Sequence, residues 1–250
     1  MQINKFVKKK NDMYNIVLED GTVLVAHQNL ILKYDLLIKK SITNELRNII
    51  EEENLTYIAY NIALKYIANK MRTKKEIKEY LLKKEVDETI ANNVIEMLEN
   101  DSYIKDETYA VAFINDKINL SNDGPNKILR ELVDKGIDQS IAFSKIEIFD
   151  KETQKEKIKM IADKLIKNNK TKSTYFLKNK IIEYLSNLGY DKSLILDAIN
   201  NISFVENNNI AKKEYEKIYK RLSRKYSGKE LELKIRQKMY SLGFKEYLGE

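Results

Sequence analysis

Few side chains in this 250-residue sequence could do chemistry. The sequence has no cysteine, which excludes a disulfide, a thiolate nucleophile and a cysteine metal site, and His27 is its single histidine. No second ligand stands at a metal-site spacing from His27, so we expect this residue to be structural or to lie on the surface. The acidic run Glu51-Glu52-Glu53 lacks further oxygen ligands and favours a solvated helix face over a metal site. Since a glycine-rich phosphate loop is also missing, we predict that the protein is not an enzyme and uses no catalytic residue, cofactor or metal ion.

The segment from Tyr215 to Tyr226 mixes aromatic with basic residues and is the remaining candidate for chemistry. Its members are Tyr215, Tyr219 and Tyr226 with Lys217, Lys220, Arg221, Arg224 and Lys225. Tyrosine rings can stack on nucleic-acid bases while lysine and arginine bind phosphates. The same spacing also fits a helix with a buried tyrosine stripe and a solvated basic back, and we favour this second interpretation.

The positive charge of the protein is concentrated towards its two ends. The net charge is +7 at pH 7. Residues 1–40 carry seven Lys against four acidic residues, a net +3, and residues 206–250 carry twelve Lys and Arg against seven acidic residues, a net +5. The long middle is therefore close to neutral, at about −1. These ends could bind a polyanion such as DNA, or they could be solvated faces.

The elements that must position these side chains are predicted to be mainly helices. One proline, seven glycines and 33% charged residues argue against a sheet-rich fold. No apolar run approaches the roughly 20 residues that a membrane span needs, and the first residues lack the apolar core of a signal peptide. Together with the absence of cysteine, this composition suits the reducing cytoplasm and a protein without a membrane partner.

The first 26 residues are the exception, because their pattern predicts a small β unit. In residues 14–19, Tyr14, Ile16 and Leu18 alternate with Asn15, Val17 and Glu19, as in a strand. Asp20-Gly21 predicts a tight turn, and residues 23–25 are expected to form the returning strand. Residues 3–10 are expected to add a third strand and residues 29–34 a short helix, since two strands alone are only marginally stable.

The segment from Gly124 to Asp138 predicts a helix, a tight corner and a second helix. Pro125 has its φ angle preset for a helix start, and Gly136 can take the left-handed conformation that ends a helix. Asp138 then stands where the next helix needs an N-cap oxygen.

The same pattern recurs at the corners Glu85, Gly189 and Gly243, at intervals of 51, 53 and 54 residues. Apolar residues stand eight and four positions before the four corners, namely Ile77 and Leu81, Ile128 and Leu132, Ile181 and Leu185, Ile235 and Met239. After the last corner the pattern continues through Phe244, Lys245 and Leu248. A period of about fifty residues indicates an array of helical repeats.

Candidate N-cap residues predict where individual helices begin. Thr43 is expected to cap a linking helix that runs to about Glu53, followed by a separate helix over 54–71. Thr73 and Glu76 fit a capping box, and Asp106 is a candidate N-cap for the second repeat. Further on, helices are predicted over 155–167 and 212–225.

The predicted fold class is mainly α, with tandem three-helix repeats in an elongated, curved array behind a small N-terminal β-hairpin unit. The predicted division is residues 1–42 for the β unit, 43–104 for the linking helix and first repeat, 105–150 for the second, 151–204 for the third, and 205–250 for a truncated fourth. Each three-helix repeat would bury its apolar face only against its neighbours.

Three motifs resemble the RecX family, bacterial regulators of the RecA recombinase. They are Lys70-Met71-Arg72-Thr73 with Glu76 and Leu81, then Asp106-Glu107-x-Tyr109-Ala110-x-x-Phe113, and Gly124-Pro125-x-x-Ile128-x-x-Glu131-Leu132-x-x-Lys135-Gly136-Ile137. The resemblance is specific over about residues 57–150 and continues more weakly, in register, to the C-terminus. Thr108 and Asn115 stand where the family usually has basic residues, and Ser102 where it usually has glycine.

The resemblance implies a cytoplasmic, monomeric, non-enzymatic regulator of homologous recombination, DNA repair and the SOS response. The implied partner is the RecA recombinase or the RecA–DNA filament, whose activity family members limit, and DNA could also be bound directly. The candidate partner-binding residues are Arg72, Lys74, Lys127 and Arg130 in the motifs, and Lys220, Arg221 and Arg224 in the basic last repeat. Arg72 and Arg130 could instead connect neighbouring repeats. Two other hypotheses remain open, a nucleic-acid-binding helical module without a recombinase partner and a helical protein-interaction scaffold.

Overall fold

The computed structural model of the protein describes residues 1–169, 172–202, 204 and 208–244. Within them, a three-stranded sheet at the N-terminus is followed by α-helices. The mainly α fold class with a small N-terminal β unit is therefore confirmed. The division into five parts and the elongated shape stay predictions.

The N-terminal sheet is antiparallel, in the strand order β1-β2-β3. The strands are β1 Ile3–Lys8, β2 Met13–Leu18 and β3 Val23–His27. Phe6 pairs with Ile16, and Ile16 pairs with Leu24, so these apolar side chains share one face. Gly21 has a φ of +83° in the tight turn before β3, and the predicted hairpin with its third strand is confirmed.

Residues 1–110 and 133–141 form one compact unit. Its leading helices are α1 Gln28–Lys33, α2 Leu36–Lys39, α3 Asn44–Ile67, α4 Lys74–Lys83 and α5 Glu88–Asn100. The sheet packs its buried face on the first helices in a core that includes Ile16, Leu24, Leu30 and Ile50. A second core, with Ala63, Ile77, Leu81, Val94 and Leu98, joins α3, α4 and α5.

Residues 111–132 and 142–250 form a second compact unit. The helices that follow α5 along the chain are α6 Asp106–Leu120, α7 Pro125–Asp134 and α8 Gln139–Lys145, and a 3-10 turn covers Ile146–Ile148. Next come α9 Lys151–Asn168, α10 Thr174–Asn187, α11 Lys192–Asn200, α12 Asn208–Leu222 and α13 Gly228–Ser241. Ile218, Ile235 and Met239 lie in the core between α12 and α13.

The four predicted corners all have left-handed backbone. The φ angles are +62° at Glu85, +86° at Gly136, +89° at Gly189 and +83° at Gly243. The eight apolar residues of the predicted frame are all buried, with at most 4% of their surface exposed. Lys245 and Leu248, the last positions of that frame, lie outside the described residues.

The predicted division into a linking helix that ends near Glu53 and a separate helix over 54–71 is wrong. One continuous helix, α3, replaces both. It runs unbroken through the predicted start at Asn54 and ends at Ile67. The side chain of Asn54 does not cap a new helix, because its Oδ1 accepts from the backbone N–H of His27 at 3.0 Å and its Nδ2 donates to the carbonyl of Val25 at 3.1 Å. Asn54 therefore connects α3 to strand β3 through two side-chain hydrogen bonds.

Helix caps agree with the sequence in most places. The capping box is present, since Glu76 N–H donates to Thr73 Oγ1 at 3.2 Å and Thr73 N–H donates to Glu76 Oε2 at 3.1 Å. Asp138 accepts from the N–H of Ser140 at 2.8 Å, just before α8. The predicted N-cap at Asp106 is wrong, because α6 begins at this residue and places its carboxylate in the first turn.

Two helices have bounds that differ from the prediction. Helix α9 covers Lys151–Asn168 and is longer than the predicted 155–167. Helix α12 ends at Leu222, so Arg224 and Lys225 lie beyond it rather than within a helix over 212–225. No helix in the described part of the chain is long and apolar enough to cross a membrane.

Candidate functional site

Arg72 lies in the loop between α3 and α4, and its guanidinium packs on an aromatic ring. Its central carbon lies 4.2 Å from the centroid of the Tyr66 ring. That ring stacks on Tyr80 with centroids 3.9 Å apart and planes at 7°. The Nε atom of Arg72 is buried and has no hydrogen-bond partner among the described residues. The guanidinium of Arg72 thus packs on the Tyr66 ring, while its Nε–H donor has no acceptor among the described residues.

A groove that the sequence did not predict adjoins Arg72. It is a cavity of about 490 Å³ between the end of α3 and the loop that leads from α5 into α6. We define the Met71 groove by six of its lining residues, Leu64, Ile67, Met71, Arg72, Tyr103 and Lys105. Met71 is 46% exposed and Tyr103 58% exposed. The sequence signal for this groove is weak, because its two walls are about 30 residues or more apart along the chain.

Lys74 is engaged within the protein. Its ammonium contacts Glu99 and lies 3.4 Å from Asp106. The hydrogen bond with Glu99 raises the pKa of Lys74, and the charge of Asp106 adds to this effect. Lys74 connects α4 with the end of α5 and the start of α6, so it is a weaker candidate for partner contact than the sequence suggested.

Lys127 belongs to a cluster of paired charges around Asp123. Asp123 is 7% exposed and accepts from Lys117 and Lys127 at 2.8 and 2.7 Å. Burial alone would raise the pKa of Asp123, but the two lysines lower it below its usual value. Lys117 also pairs with Glu131 on α7. Lys127 is therefore bound to a buried carboxylate in this structure.

Arg130 lies one helical turn after Asn126 on α7 and is exposed. Its Nε donates to the carbonyl of Asn126 at 3.3 Å. No ion pair to Arg130 occurs within the described ranges. The sequence suggests two partner-binding cations on α7, Lys127 and Arg130. Of these two, Arg130 is the one whose charged group faces solvent.

The basic last repeat presents its three candidate cations to solvent. Lys220, Arg221 and Arg224 are exposed, and they form no ion pair with any described residue. Arg221 lines a cavity of about 270 Å³ together with Tyr226 and Lys234. The ammonium of Lys234 lies 5.9 Å from the centroid of the Tyr226 ring.

The tyrosines of this segment divide between core and surface. Tyr215 and Tyr226 pack against the core of α12 and α13, as the interpretation of a buried stripe requires. Tyr219 is 48% exposed, and its ring lies 6.3 Å from that of Tyr215. The buried-stripe interpretation is therefore wrong for Tyr219, because this residue faces outward from α12.

His27 and the acidic run have structural partners. His27 Nδ1 accepts from the N–H of Asn29 at 3.2 Å and so caps α1, while its ring stacks on Tyr57 at 4.3 Å. Burial lowers the pKa of His27. In the acidic run, Glu51 pairs with Arg47 at 2.9 Å and Glu53 pairs with Lys33 at 2.7 Å. The described residues contain no group of three or more His, Cys, Asp or Glu that could bind a metal ion.

Comparison with known proteins decides the family. The model of the first three-helix domain of RecX matches residues 59–98, and the model of the second matches residues 106–142. Regulatory protein RecX of Streptococcus pneumoniae strain Hungary19A-6 is 32% identical over 250 residues, covering 98% of this chain and 95% of the relative. The chain belongs to the RecX family.

Other RecX proteins agree with this assignment. Regulatory protein RecX of Oceanobacillus iheyensis is 28% identical over 246 residues, covering 95% of this chain and 90% of the relative. The crystal structure of RecX from Lactobacillus salivarius has a TM-score of 0.57 and 29% identity, covering 59% of this chain and 96% of that one. A crystal structure of regulatory protein RecX has a TM-score of 0.72 at 24% identity, covering 78% and 98%, and supports the fold.

The candidate residues are distributed unevenly over the RecX domains. Arg72 and Lys74 lie within the match to the first RecX domain, and Lys127 and Arg130 lie within the match to the second. Lys220, Arg221 and Arg224 lie beyond both matches. The names of the RecX relatives support a regulatory role for this chain.

Proposed function

We propose that this RecX-family protein binds the RecA recombinase or its DNA filament and lowers recombinase activity. The observation that carries the proposal is the match of both RecX three-helix domains to the segments that contain the three sequence motifs. The partner itself follows from the resemblance of those motifs to the family. The relatives' shared name, regulatory protein, supports control of another protein's activity rather than catalysis.

The charges of the exposed residues suit such a partner. A recombinase filament on DNA presents both carboxylates and phosphates, and arginine binds either with a planar, bidentate fork. Arg130, Arg221 and Arg224 are exposed and form no ion pair among the described residues. Several weak contacts on one chain add up to tight binding, because after the first contact the others form within one complex. Binding across recombinase subunits would then hinder strand exchange.

A second candidate function is direct binding of nucleic acid without the recombinase. The cavity at Arg221 favours it, because Arg221, Lys234 and Lys238 line this cavity together with the ring of Tyr226, and no acidic residue of the described chain lines it. Cations with an aromatic platform are the usual combination for single-stranded nucleic acid.

The deciding experiment is a strand-exchange and ATPase assay of the cognate recombinase, with and without the protein. Under the first proposal, both activities fall as the protein is titrated, and binding requires the assembled filament. If the protein instead binds naked DNA with equal affinity and leaves the ATPase unchanged, the second function replaces the first. A salt titration separates them further, because binding to phosphates alone weakens steeply with salt.

A further inference from the structure

The Met71 groove combines an apolar lining with positive charge. Leu64 and Ile67 at the end of α3 and Met71 in the loop after it supply carbon surface. Tyr103 supplies a half-exposed ring on the facing loop. Arg72 and Lys105 are the charged groups of the lining, and no Asp or Glu of the described chain belongs to it. An apolar cleft with a few placed polar groups is typical of a binding site.

The donor geometry of Arg72 indicates what the groove can bind. Its guanidinium lies against Tyr66, which itself stacks on Tyr80, so packing within the chain already positions the side chain. Nε is buried without an acceptor. A partner can therefore reach only the terminal nitrogens of the guanidinium. Because Arg72 lines the groove, a carboxylate bound there can accept from these nitrogens, which no neutral group does as well.

We propose that the Met71 groove binds a segment of the recombinase that carries a carboxylate side chain next to a bulky aliphatic or aromatic one. The carboxylate accepts from Arg72 and is attracted by Lys105, while the apolar neighbour lies against Leu64, Ile67 and Met71. This inference rests on the proposed function, since it names the partner's contact point on this chain. Binding is favoured because the arginine loses little conformational freedom on docking.

Protein rather than nucleic acid is the better occupant for this groove. Its lining is mostly carbon, and acidic groups lie beside it along the chain, including Asp101 and Asp106. Asp101 accepts from the hydroxyl of Tyr60 at 2.5 Å, and Asp106 pairs with Lys74. A single carboxylate tolerates these neighbours better than a phosphate backbone, whose charges repeat at every nucleotide.

The test compares groove variants with matched variants elsewhere in the full-length protein. The groove variants are Arg72→Gln and Met71→Glu. The controls are Arg47→Gln, an arginine on α3 outside the groove, and Met160→Glu, a methionine on α9 that is 57% exposed. Affinity for the cognate recombinase filament is measured at one fixed salt concentration, and thermal unfolding of every variant is recorded. We expect each groove variant to lose about tenfold or more in affinity and each control to stay within about twofold.

The outcomes separate this inference from the proposed function. If the unaltered protein does not bind the filament, the proposed function fails. If it binds and both groove variants bind equally well, the groove proposal alone is overturned. An equal loss of affinity for a naked single-stranded oligonucleotide would assign the groove to nucleic acid and overturn it as well.

Folding is controlled separately, since Arg72 packs on Tyr66. If Arg72→Gln unfolds, Met71→Glu and Lys105→Glu decide, because both residues are exposed in the folded chain. Loss of filament binding in these two variants at unchanged melting temperature supports the groove, and retention of binding rejects it.

Discussion

A Cβ atom added to Gly136 would lie 2.7 Å from the Cβ of Lys75, the second residue of α4. The ammonium of the same lysine donates to the carbonyl of Asp134 at 2.9 Å, at the end of α7. The corner after α7 therefore contacts the first turn of α4 too closely for any side chain. The contact also brings the negative end of one helix to the positive end of another, which is favourable.

The later corners have the same arrangement. A Cβ on Gly189 would lie 2.5 Å from the backbone nitrogen of Lys127, in the first turn of α7. A Cβ on Gly243 would collide with Ser173, the N-cap of α10. Glycine is required at each of these corners for two reasons. The backbone has a positive φ, and the neighbouring helix leaves no space for a Cβ atom. Glu85 also has a positive φ but is exposed, which explains why the first corner tolerates a side chain.

Replacing the corner glycine should destabilise the fold. Gly136→Val introduces a β-branched side chain at a φ of +86° and against Lys75. We expect the free energy of unfolding to fall by about 1 kcal/mol or more, because positive φ is unfavourable for such residues and the neighbouring helix must also move. Urea unfolding followed by circular dichroism measures the change.

The matched control for that variant is Glu85→Gly. It removes a side chain from a left-handed position that is exposed, so stability should stay the same or rise by a few tenths of a kcal/mol. Equal destabilisation in both variants would mean that the corners differ from one another less than their contacts indicate.

The two cations on α7 should behave differently when removed. Lys127→Ala deprives the buried carboxylate of Asp123 of one of its two lysine partners and should lower the free energy of unfolding by about 1 kcal/mol. Arg130→Ala should change stability by less than about 0.5 kcal/mol, because Arg130 is exposed. Chemical denaturation and recombinase inhibition are measured on both variants. Weaker inhibition by Arg130→Ala at unchanged stability is the expected result, and unchanged inhibition would remove Arg130 from the contact surface.

His27 should make the N-terminal unit less stable in acid. Burial lowers the pKa of His27 in the folded chain, so between the folded pKa and the unfolded value of about 6.5 the unfolded chain binds more protons. The free energy of unfolding is therefore highest above this window and falls as the pH drops through it. Protonation also removes the Nδ1 acceptor that caps α1.

His27→Asn isolates this effect from the titration of Asp and Glu residues. Asparagine retains an N-cap oxygen but does not titrate in this range. Between about pH 7.5 and about pH 5, the unaltered protein should lose more stability than the variant. Parallel curves for the two proteins would show that His27 does not titrate differently on folding.

The basic last repeat should contribute to the salt dependence of DNA or filament binding. Changing Lys220, Arg221 and Arg224 to Ala removes up to three phosphate contacts, each contributing about −0.9 to the slope of log affinity against log salt on duplex DNA. The slope should flatten by up to about 2–3 units while the fold survives, because the three residues are exposed. Fluorescence anisotropy at several salt concentrations measures it.

A second triple variant distinguishes a site from bulk charge. Lys159, Lys164 and Lys167 are exposed on α9 and serve as the control. Lys157 is unsuitable for it, because its ammonium donates to the carbonyl of Ser121 at 2.7 Å. If both triples flatten the slope equally, only net charge matters and the last repeat contains no specific contact.

Local pattern predicted most of the backbone. The hairpin at Asp20-Gly21, the capping box at Thr73 and the left-handed corner at Gly136 each depend on residues within about five positions of one another. Their preferred conformations are therefore present in the sequence itself. The repeat of this pattern about every fifty residues also predicted the order of the helices, since the same local preferences recur along the chain.

Only the tertiary structure decided what the side chains contact. Asn54 would suit a helix start, but its side-chain amide forms hydrogen bonds with the backbone of strand β3, and α3 continues past this residue. Lys127 and Arg130 are three positions apart, yet one pairs with buried Asp123 while the other faces solvent. The Met71 groove joins α3 to a loop more than 30 residues later. Such contacts depend on packing between segments distant in sequence, which local propensity and charge patterning do not specify.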